Sequence, residues 1–340
     1  ATHMFKKLGT FLVAGLMAIS LSACSGGTAA TTPAGGGGTA TTPAAGGGGA
    51  TGKTIAIITV DIANPFWKAE KEAAESEAKR LGYATTVDAH QNDPDKQNQY
   101  IDGAIAKKVA AILLDPAGAK ESVGAVQKAT NAGIPVFLIN AEITEQGIAK
   151  SQIVSNNAQG AQLGAEAWAK AMGGKGEYVE LFGQPTDNNA RVRSEGYKGV
   201  LSQYPDLKLL QTETANWDRV QGKQKMEIML KAHPNITGVI SGNDEMALGA
   251  IAALKDAGKL NQVKVLGFDG SGDAVAAVKS GEMVATVLQP IVEATKKSVQ
   301  LIDNFLRTGK TGSPTEKIAM DCVLITKDNA DKFKDFVPLG

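Results

Sequence analysis

The chain is poor in cysteine, in histidine and in any excess of charge. Cys24 and Cys322 are its two cysteines, and His3, His90 and His233 its three histidines. That excludes a disulfide framework as the source of stability, and no Cys/His spacing suits a zinc site. His90 and His233 stand alone, and Asp269-Gly270-Ser271-Gly272-Asp273 lacks the twelve-residue calcium loop with its closing glutamate, so no metal and no cofactor is expected. The 35 basic and 35 acidic residues cancel to a formal net charge of +0. A nucleic-acid surface needs a basic excess, so no nucleic-acid partner is expected. Cys322 sits in the apolar run Cys322-Val323-Leu324-Ile325, a setting for packing rather than for a nucleophile.

Long apolar runs are also missing. Phe11 to Leu21 falls short of the roughly 20 residues a membrane span needs. Lys6 and Lys7 precede it and Leu21-Ser22-Ala23-Cys24 closes it. A basic start, an apolar middle and small residues before a cysteine form the pattern of a bacterial lipoprotein signal. Cleavage before Cys24 would leave that residue lipidated, with the protein extracytoplasmic, in the periplasm or at the cell surface, and tethered to a membrane. Ala1-Thr2-His3, ahead of Met4, reads as a cloning remnant. Residues 1–24 are therefore set apart, and 25–52 form a Gly/Ala/Thr/Pro linker with an imperfect repeat, Thr31-Thr32-Pro33-Ala34 and Thr41-Thr42-Pro43-Ala44. Such a composition buries too little apolar surface to fold, and as a flexible coil it would span roughly 30 Å. Thr and Pro richness fits a glycosylated stalk equally. Gly47, Gly52, Lys53 and Thr54 match the spacing of a phosphate-binding loop. That loop needs a strand before and a helix after, whereas here a linker precedes and a strand follows, so the match is discarded.

From Lys53 onward strand and helix signals alternate. Thr54 to Val60, Tyr83 to Val87, Val109 to Leu114 and Ile134 to Ile139 read as strands, with helices over Phe66 to Leu81 and from Asp93-Pro94 to Lys108. The pattern restarts near Ser151, with strands at Ile153-Val154, Glu177 to Phe182, Leu207 to Thr212, Ile236 to Ile240 and Val263 to Phe268. Helices are expected over Ala158 to Met172, Asn189 to Tyr204, Arg219 to Lys231 and Glu245 to Ala257. Alternation of this kind means helix-covered parallel sheets, here an α/β chain of two doubly wound lobes. Ligands in such folds gather beyond the carboxyl ends of strands. The residues found there are Asn64-Pro65-Phe66-Trp67, Asn140, Arg191, Asn216-Trp217-Asp218, Asn243-Asp244, Asp269 and Gln289. Rings, amides, carboxylates and a guanidinium suit a sugar or polyol, whose C–H faces stack and whose hydroxyls donate and accept. Each residue alone is an ordinary cap or turn former; seven strand ends carrying them together is the stronger signal.

Here the chain resembles the ribose-binding branch of periplasmic sugar-binding proteins, which serve ABC importers. Asn243-Asp244-Glu245-Met246-Ala247-Leu248-Gly249-Ala250, Gly267-Phe268-Asp269-Gly270 and Asn64-Pro65-Phe66 carry the resemblance, which covers Lys53 to Thr326. It implies the type I periplasmic binding protein fold, with three crossings near Ser155-Asn156, Gln289-Pro290 and Asp321-Cys322. One lobe would comprise 53–155 plus 290–321, the other 156–289 plus 322–340, with the C-terminal tail packed on the second lobe. By resemblance, Phe66 and Trp67 stack on one face of the sugar and Trp217 on the other. Asn64, Asn140, Arg191, Asn243, Asp269 and Gln289 would bond its hydroxyls. Ribose binders carry a small polar residue in place of Val60 and an Asp-Arg pair in place of Asn140-Ala141, which points away from ribose itself; Asp61 and Glu142 are candidate replacement contacts.

The expected function is capture of a monosaccharide or polyol between two closing lobes and its delivery, by a monomer, to an ABC permease. The alternatives are a ligand sensor for a chemoreceptor or a binder of a non-sugar polar ligand on the same fold. A repressor of this core would need an N-terminal helix-turn-helix, where this chain has a signal and linker. A glycosidase would draw on Asp187, Glu195, Asp218, Asp244 or Asp269, but no motif pairs them, so no enzyme is expected.

Overall fold

A computed structural model describes residues 51–340. The signal, the Cys24 lipidation site and all but the end of the linker lie outside the described residues. Among the described residues no helix is long and apolar enough to cross a membrane.

The first sheet runs β11-β5-β4-β3-β1-β2 and is parallel throughout. Its strands are β1 (Thr54–Thr59), β2 (Ala84–Ala89), β3 (Ala111–Leu114), β4 (Val136–Asn140), β5 (Ser151–Ser155) and β11 (Lys317–Met320). β1, β3 and β4 are buried almost residue for residue, as expected of parallel strands covered on both faces. The cover consists of α1 (Pro65–Arg80), α2 (Pro94–Ala106), α3 (Val123–Asn131) and α9 (Ile291–Thr308), α9 packing on α1 and on β4 and β5. α1 shows why these segments become helices. The Asn64 side chain caps its first turn, Pro65 supplies the fixed φ, and Phe66, Trp67, Glu70, Ala73, Ala74, Glu77 and Ala78 form one buried stripe.

The second sheet runs β7-β6-β8-β9, again parallel. It comprises β6 (Lys175–Phe182), β7 (Asp206–Thr214), β8 (Gly238–Ser241) and β9 (Lys264–Leu266), extended by bridges to β10 (Thr286–Leu288), which pairs antiparallel with β12 (Val323–Ile325). Its helices are α4 (Asn157–Ala171), α5 (Asn188–Leu201), α6 (Arg219–Ala232), α7 (Asp244–Asp256) and α8 (Gly272–Ser280). α6 and α7 pack closely because Gly222 and Gly249 face each other's backbone: a Cβ at Gly222 would meet Met246 Cα at 2.7 Å. The chain passes between the lobes after β5, after β10 and after β11.

The tail behaves differently from the expectation that it stays on the second lobe. A 3-10 turn at Ala330–Lys332 and β13 (Phe333–Lys334) do pack on α8. Beyond them the chain turns through Asp335 and Phe336, both at positive φ, into β14 (Val337–Pro338). Phe336 is buried, and its ring meets the edge of Phe66 in the first lobe at 5.7 Å between centroids.

Candidate ligand-binding site

Parallel strands all deliver their carboxyl ends to the same side, so the loops after β1, β4, β6, β7, β8, β9 and β10 converge between the lobes. They enclose a small cavity lined by Asn64, Phe66, Trp67, Asn140, Asp187, Asn189, Arg193, Trp217, Asn243, Asp269 and Gln289. The lobes are in contact around it. Ala119 N donates to Thr186 O at 3.0 Å, Asn189 Nδ2 to the Asn140 carbonyl at 3.0 Å, and Asn188 Nδ2 to Glu142 Oε1 at 2.8 Å. The structure is therefore a closed one. A larger groove between α4 and α5, lined among others by Gln162, Glu166, Lys170 and Tyr204, is open and gathers no buried polar groups.

Eight of the nine residues singled out from sequence line this cavity: Asn64, Phe66, Trp67, Asn140, Trp217, Asn243, Asp269 and Gln289. Arg191 is the exception. It lies on the outer face of α5, exposed and bonded to Glu195 and Asn188. Arg193 occupies the cavity instead, only 3% exposed, since two residues along a helix reverse the face. Asp61 and Glu142 are also absent from the lining. Asp61 Oδ1 accepts from Ala63 N and closes its own turn. Glu142 pairs with Lys317 Nζ at 3.2 Å and with Asn188, a contact across the lobes rather than with the cavity. Asn189 and Asp187, at the start of α5, join the lining without having been singled out as ligand contacts. The signal for Asn189 was the i, i+4 series Asn189, Arg193, Tyr197, all buried, while Asp187 is the N-cap of that helix.

The internal hydrogen bonds decide what each lining group has left to offer. Asn64 spends its Oδ1 on Phe66 N (2.9 Å) as the cap of α1, and among the described residues its Nδ2 has no partner. Asn140 donates Nδ2 to Asp115 Oδ2 (2.9 Å), which leaves its Oδ1 as an acceptor. Asn243 caps α7 through Met246 N (3.0 Å) and holds the Trp217 carbonyl through Nδ2 (3.1 Å). Gln289 is bound at both ends, donating to Asp269 Oδ1 (2.6 Å) and accepting from Ser155 Oγ (2.9 Å). Arg193 donates Nε to Asn157 Oδ1 (2.9 Å) and Nη1 to the Gly242 carbonyl (3.0 Å), leaving Nη2 free among the described residues. Its guanidinium stacks between the Phe268 ring (4.2 Å) and the Trp217 ring (5.1 Å). Trp217 Nε1 is buried without a hydrogen-bond partner among the described residues. Free donors on Asn64 and Arg193, free acceptors on Asn140 and Asp269, and three aromatic rings form a surface that hydroxyl groups can satisfy from both directions.

The carboxylates carry the cost of this burial. Asp269 is pushed up chiefly by burial and next by the nearby Asp244, with Arg193 opposing. Asp244 is raised to about 6, again mainly by burial, although Thr286 Oγ1 (2.6 Å) and Ser271 N (2.8 Å) hold its oxygens. Burial also pushes the Cys322 thiol up to about 12, so it stays protonated at neutral pH and packs against Gly160. Among the described residues no group of three His, Cys, Asp or Glu side chains is placed to hold a metal ion.

A family model described as a periplasmic binding protein domain matches residues 55–311. The chain belongs to the periplasmic binding protein family. Within that family it is 51% identical over 282 residues to the D-apiose import binding protein of Paraburkholderia graminis, covering 83% of this chain and 90% of the relative. It is 33% identical over 274 residues to the ribose import binding protein of Escherichia coli, covering 81% and 90%. Among solved structures, a Bacillus halodurans ABC transporter solute-binding protein with bound myo-inositol superposes with a TM-score of 0.78 at 27% identity, covering 84% of this chain and 98% of that one. Periplasmic binding proteins work outside the cytoplasm as binders, in keeping with a site that has stacking rings and hydroxyl partners.

Proposed function

We propose that this protein captures a small sugar, with D-apiose the leading ligand, and presents the closed complex to the permease of an ABC importer. The observation that carries the reading is the cavity: three rings and a set of unspent donors and acceptors, sealed by contacts between two lobes. The small size of that cavity favours a single monosaccharide over a longer saccharide. The 51% identity to a D-apiose import binding protein supports the same choice, and the Asn140-Ala141 sequence, in place of the Asp-Arg of ribose binders, argues against ribose. The ligand bridges the lobes and shifts the population toward the closed form by its differential contacts. The lipid anchor on Cys24 and the monomeric state belong to this proposal too. An anchored carrier stays within reach of its permease, and the linker supplies the slack.

Calorimetric titration with D-apiose, D-ribose, xylitol and myo-inositol tests the ligand. D-apiose is expected to bind most tightly and to raise the melting temperature by mass action. Absence of binding by every polyhydroxylated compound would sink the sugar reading. Mass spectrometry of the membrane-extracted protein should find a diacylglycerol on Cys24, and Cys24→Ala should release the protein into the soluble fraction.

A further inference from the structure

Behind the cavity wall lie two carboxyl groups that touch no lining space and are not needed to build the sheet. Asp115 follows β3 and Glu70 lies on α1, one helical turn past Phe66 and Trp67; each is 1% exposed. Thr59 Oγ1 donates to Glu70 Oε1 at 2.7 Å. Glu70 Oε2 is buried without a partner among the described residues, and the Glu70 and Asp115 carboxyl groups lie close enough for a side-chain hydrogen bond between them. Asp115 Oδ2 in turn accepts from two cavity residues, Trp67 Nε1 at 3.0 Å and Asn140 Nδ2 at 2.9 Å.

We propose that Glu70 and Asp115 form a proton-sharing carboxyl pair that positions the ligand-facing wall of the first lobe. Two carboxylates in contact, away from water, cannot both ionise. One proton bridging Glu70 and Asp115 resolves this and gives Glu70 Oε2 its missing partner. Asp115 then holds the Trp67 indole at a fixed angle and turns the Asn140 amide so that Oδ1, an acceptor, faces the ligand. The pair therefore dictates that the ligand must present a hydroxyl donor at Asn140. Neither residue touches ligand, so both act through Trp67 and Asn140.

Among the described residues no positive charge stands among the main influences on either carboxyl group. Burial is the largest influence on both groups, pushing Glu70 up to about 7 and Asp115 well above its ordinary value. The other titratable groups facing the pair are Asp187, in the opposite lobe, and His90. Asp187 raises Asp115 further. The His90 ring lies with Nε2 2.6 Å from the Asp115 carbonyl and Nδ1 accepting from Asn92 N at 3.1 Å, and burial pushes its own pKa down, so it stays neutral. Both carboxyl pKa values are raised in the folded, closed state. The stability they permit is therefore full below the ordinary carboxyl values of 3.8 and 4.5 and is lost as pH climbs from there through the raised folded values, about 7 for Glu70 and well above the ordinary value for Asp115. Because lobe closure brings Asp187 up to Asp115, ligand binding should take up protons, and affinity should decline with pH.

This inference rests on the sugar-binding reading, and its test separates the two. D-Apiose is titrated into the wild type, Glu70→Gln, Asp115→Ala and Asp115→Asn at pH 6, 7.5 and 9. Wild-type affinity is expected to fall about tenfold across that range, one pKa unit of linkage. Glu70→Gln should bind with a flattened profile, since its amide donates to Asp115 at every pH. Asp115→Ala should lose about tenfold or more throughout, and Asp115→Asn should recover most of that loss with a flat profile, its carbonyl accepting from Trp67 and Asn140. A Glu70→Gln profile parallel to the wild type, or wild-type affinity in Asp115→Ala, overturns the proposal. Should the wild type bind none of the sugars, the functional reading fails, and melting temperature against pH in the ligand-free protein decides the pair. A steeper alkaline decline in wild type than in Glu70→Gln supports it, and equal slopes refute it; this comparison also stands if Asp115→Ala does not fold.

Discussion

Arg193→Met is expected to reduce ligand affinity by about 100-fold, whereas Arg191→Met, two residues away, leaves it within about twofold of wild type. Arg193 is a buried cation with no ion-pair partner among the described residues, tied to the protein by Asn157 Oδ1 and the Gly242 carbonyl and flanked by two aromatic faces. A charge held like that costs desolvation, and a ligand hydroxyl accepting from Nη2 recovers part of it only in the complex. A hydrogen bond to a charged group contributes about 1.5–3 kcal/mol, and Arg193 also links the ligand to α4, β8 and Trp217. Arg191 makes a solvent-exposed pair with Glu195, of the kind that contributes about 0–1 kcal/mol. Methionine keeps the length and apolar stem of either side chain. Ligand-free melting of Arg193→Met should stay within several degrees of wild type while the ligand-induced shift disappears. Equal affinity losses in both variants would mean that α5 contributes through its overall charge, not through one placed guanidinium.

The contrast between these two arginines marks how far the sequence could be read. Strand ends were legible because short apolar runs are bounded by turn formers, and parallel sheets send every carboxyl end to one side. That logic needs no side-chain geometry, and it placed Asn64, Asn140, Trp217, Asn243, Asp269 and Gln289 in one cavity. Inside α5 the logic stops, because what matters there is helical phase. The phase was available: Ala190, Arg193, Tyr197, Val200 and Leu201 make the buried stripe, and Arg191 with Glu195 makes an exposed i, i+4 pair. Glu142 was misplaced for a different reason. Its partners Asn188 and Lys317 come from segments far along the chain, and no local pattern announces that meeting. The Glu70–Asp115 contact is of the same kind, and so is Phe336, which reaches across to the Phe66 ring from the far end of the sequence. An acidic residue on the buried stripe of α1 was a visible anomaly; only the fold shows which group faces it.

Trp217→Ala is expected to weaken ligand binding by about 30-fold or more, the loss typical of a buried aromatic anchor. The molecule goes to some length to hold this ring. Asn216 and Trp217 both sit at positive φ, +54° and +65°, a region that costs residues other than glycine roughly 1 kcal/mol or more each. The Asn243 side chain secures the Trp217 carbonyl at 3.1 Å. The indole then lies in a slot between the Arg193 guanidinium and two glycines, Gly183 and Gly242; a Cβ on Gly183 would collide with the ring. Strained backbone, a dedicated amide and a slot without side chains all serve the position of one ring, on the wall opposite Phe66 and Trp67. Trp217→Ala removes the ring and keeps the rest, so the ligand loses the cover on one face while the lobes keep their other contacts. Gly183→Val should give a comparable loss by the opposite route, pushing the intact ring into the cavity. If stacking is the cause, Trp217→Phe recovers a substantial part of the affinity in calorimetry and Gly183→Val does not. Unchanged affinity in Trp217→Ala would remove this ring from the site and leave the strain at residues 216 and 217 without a function.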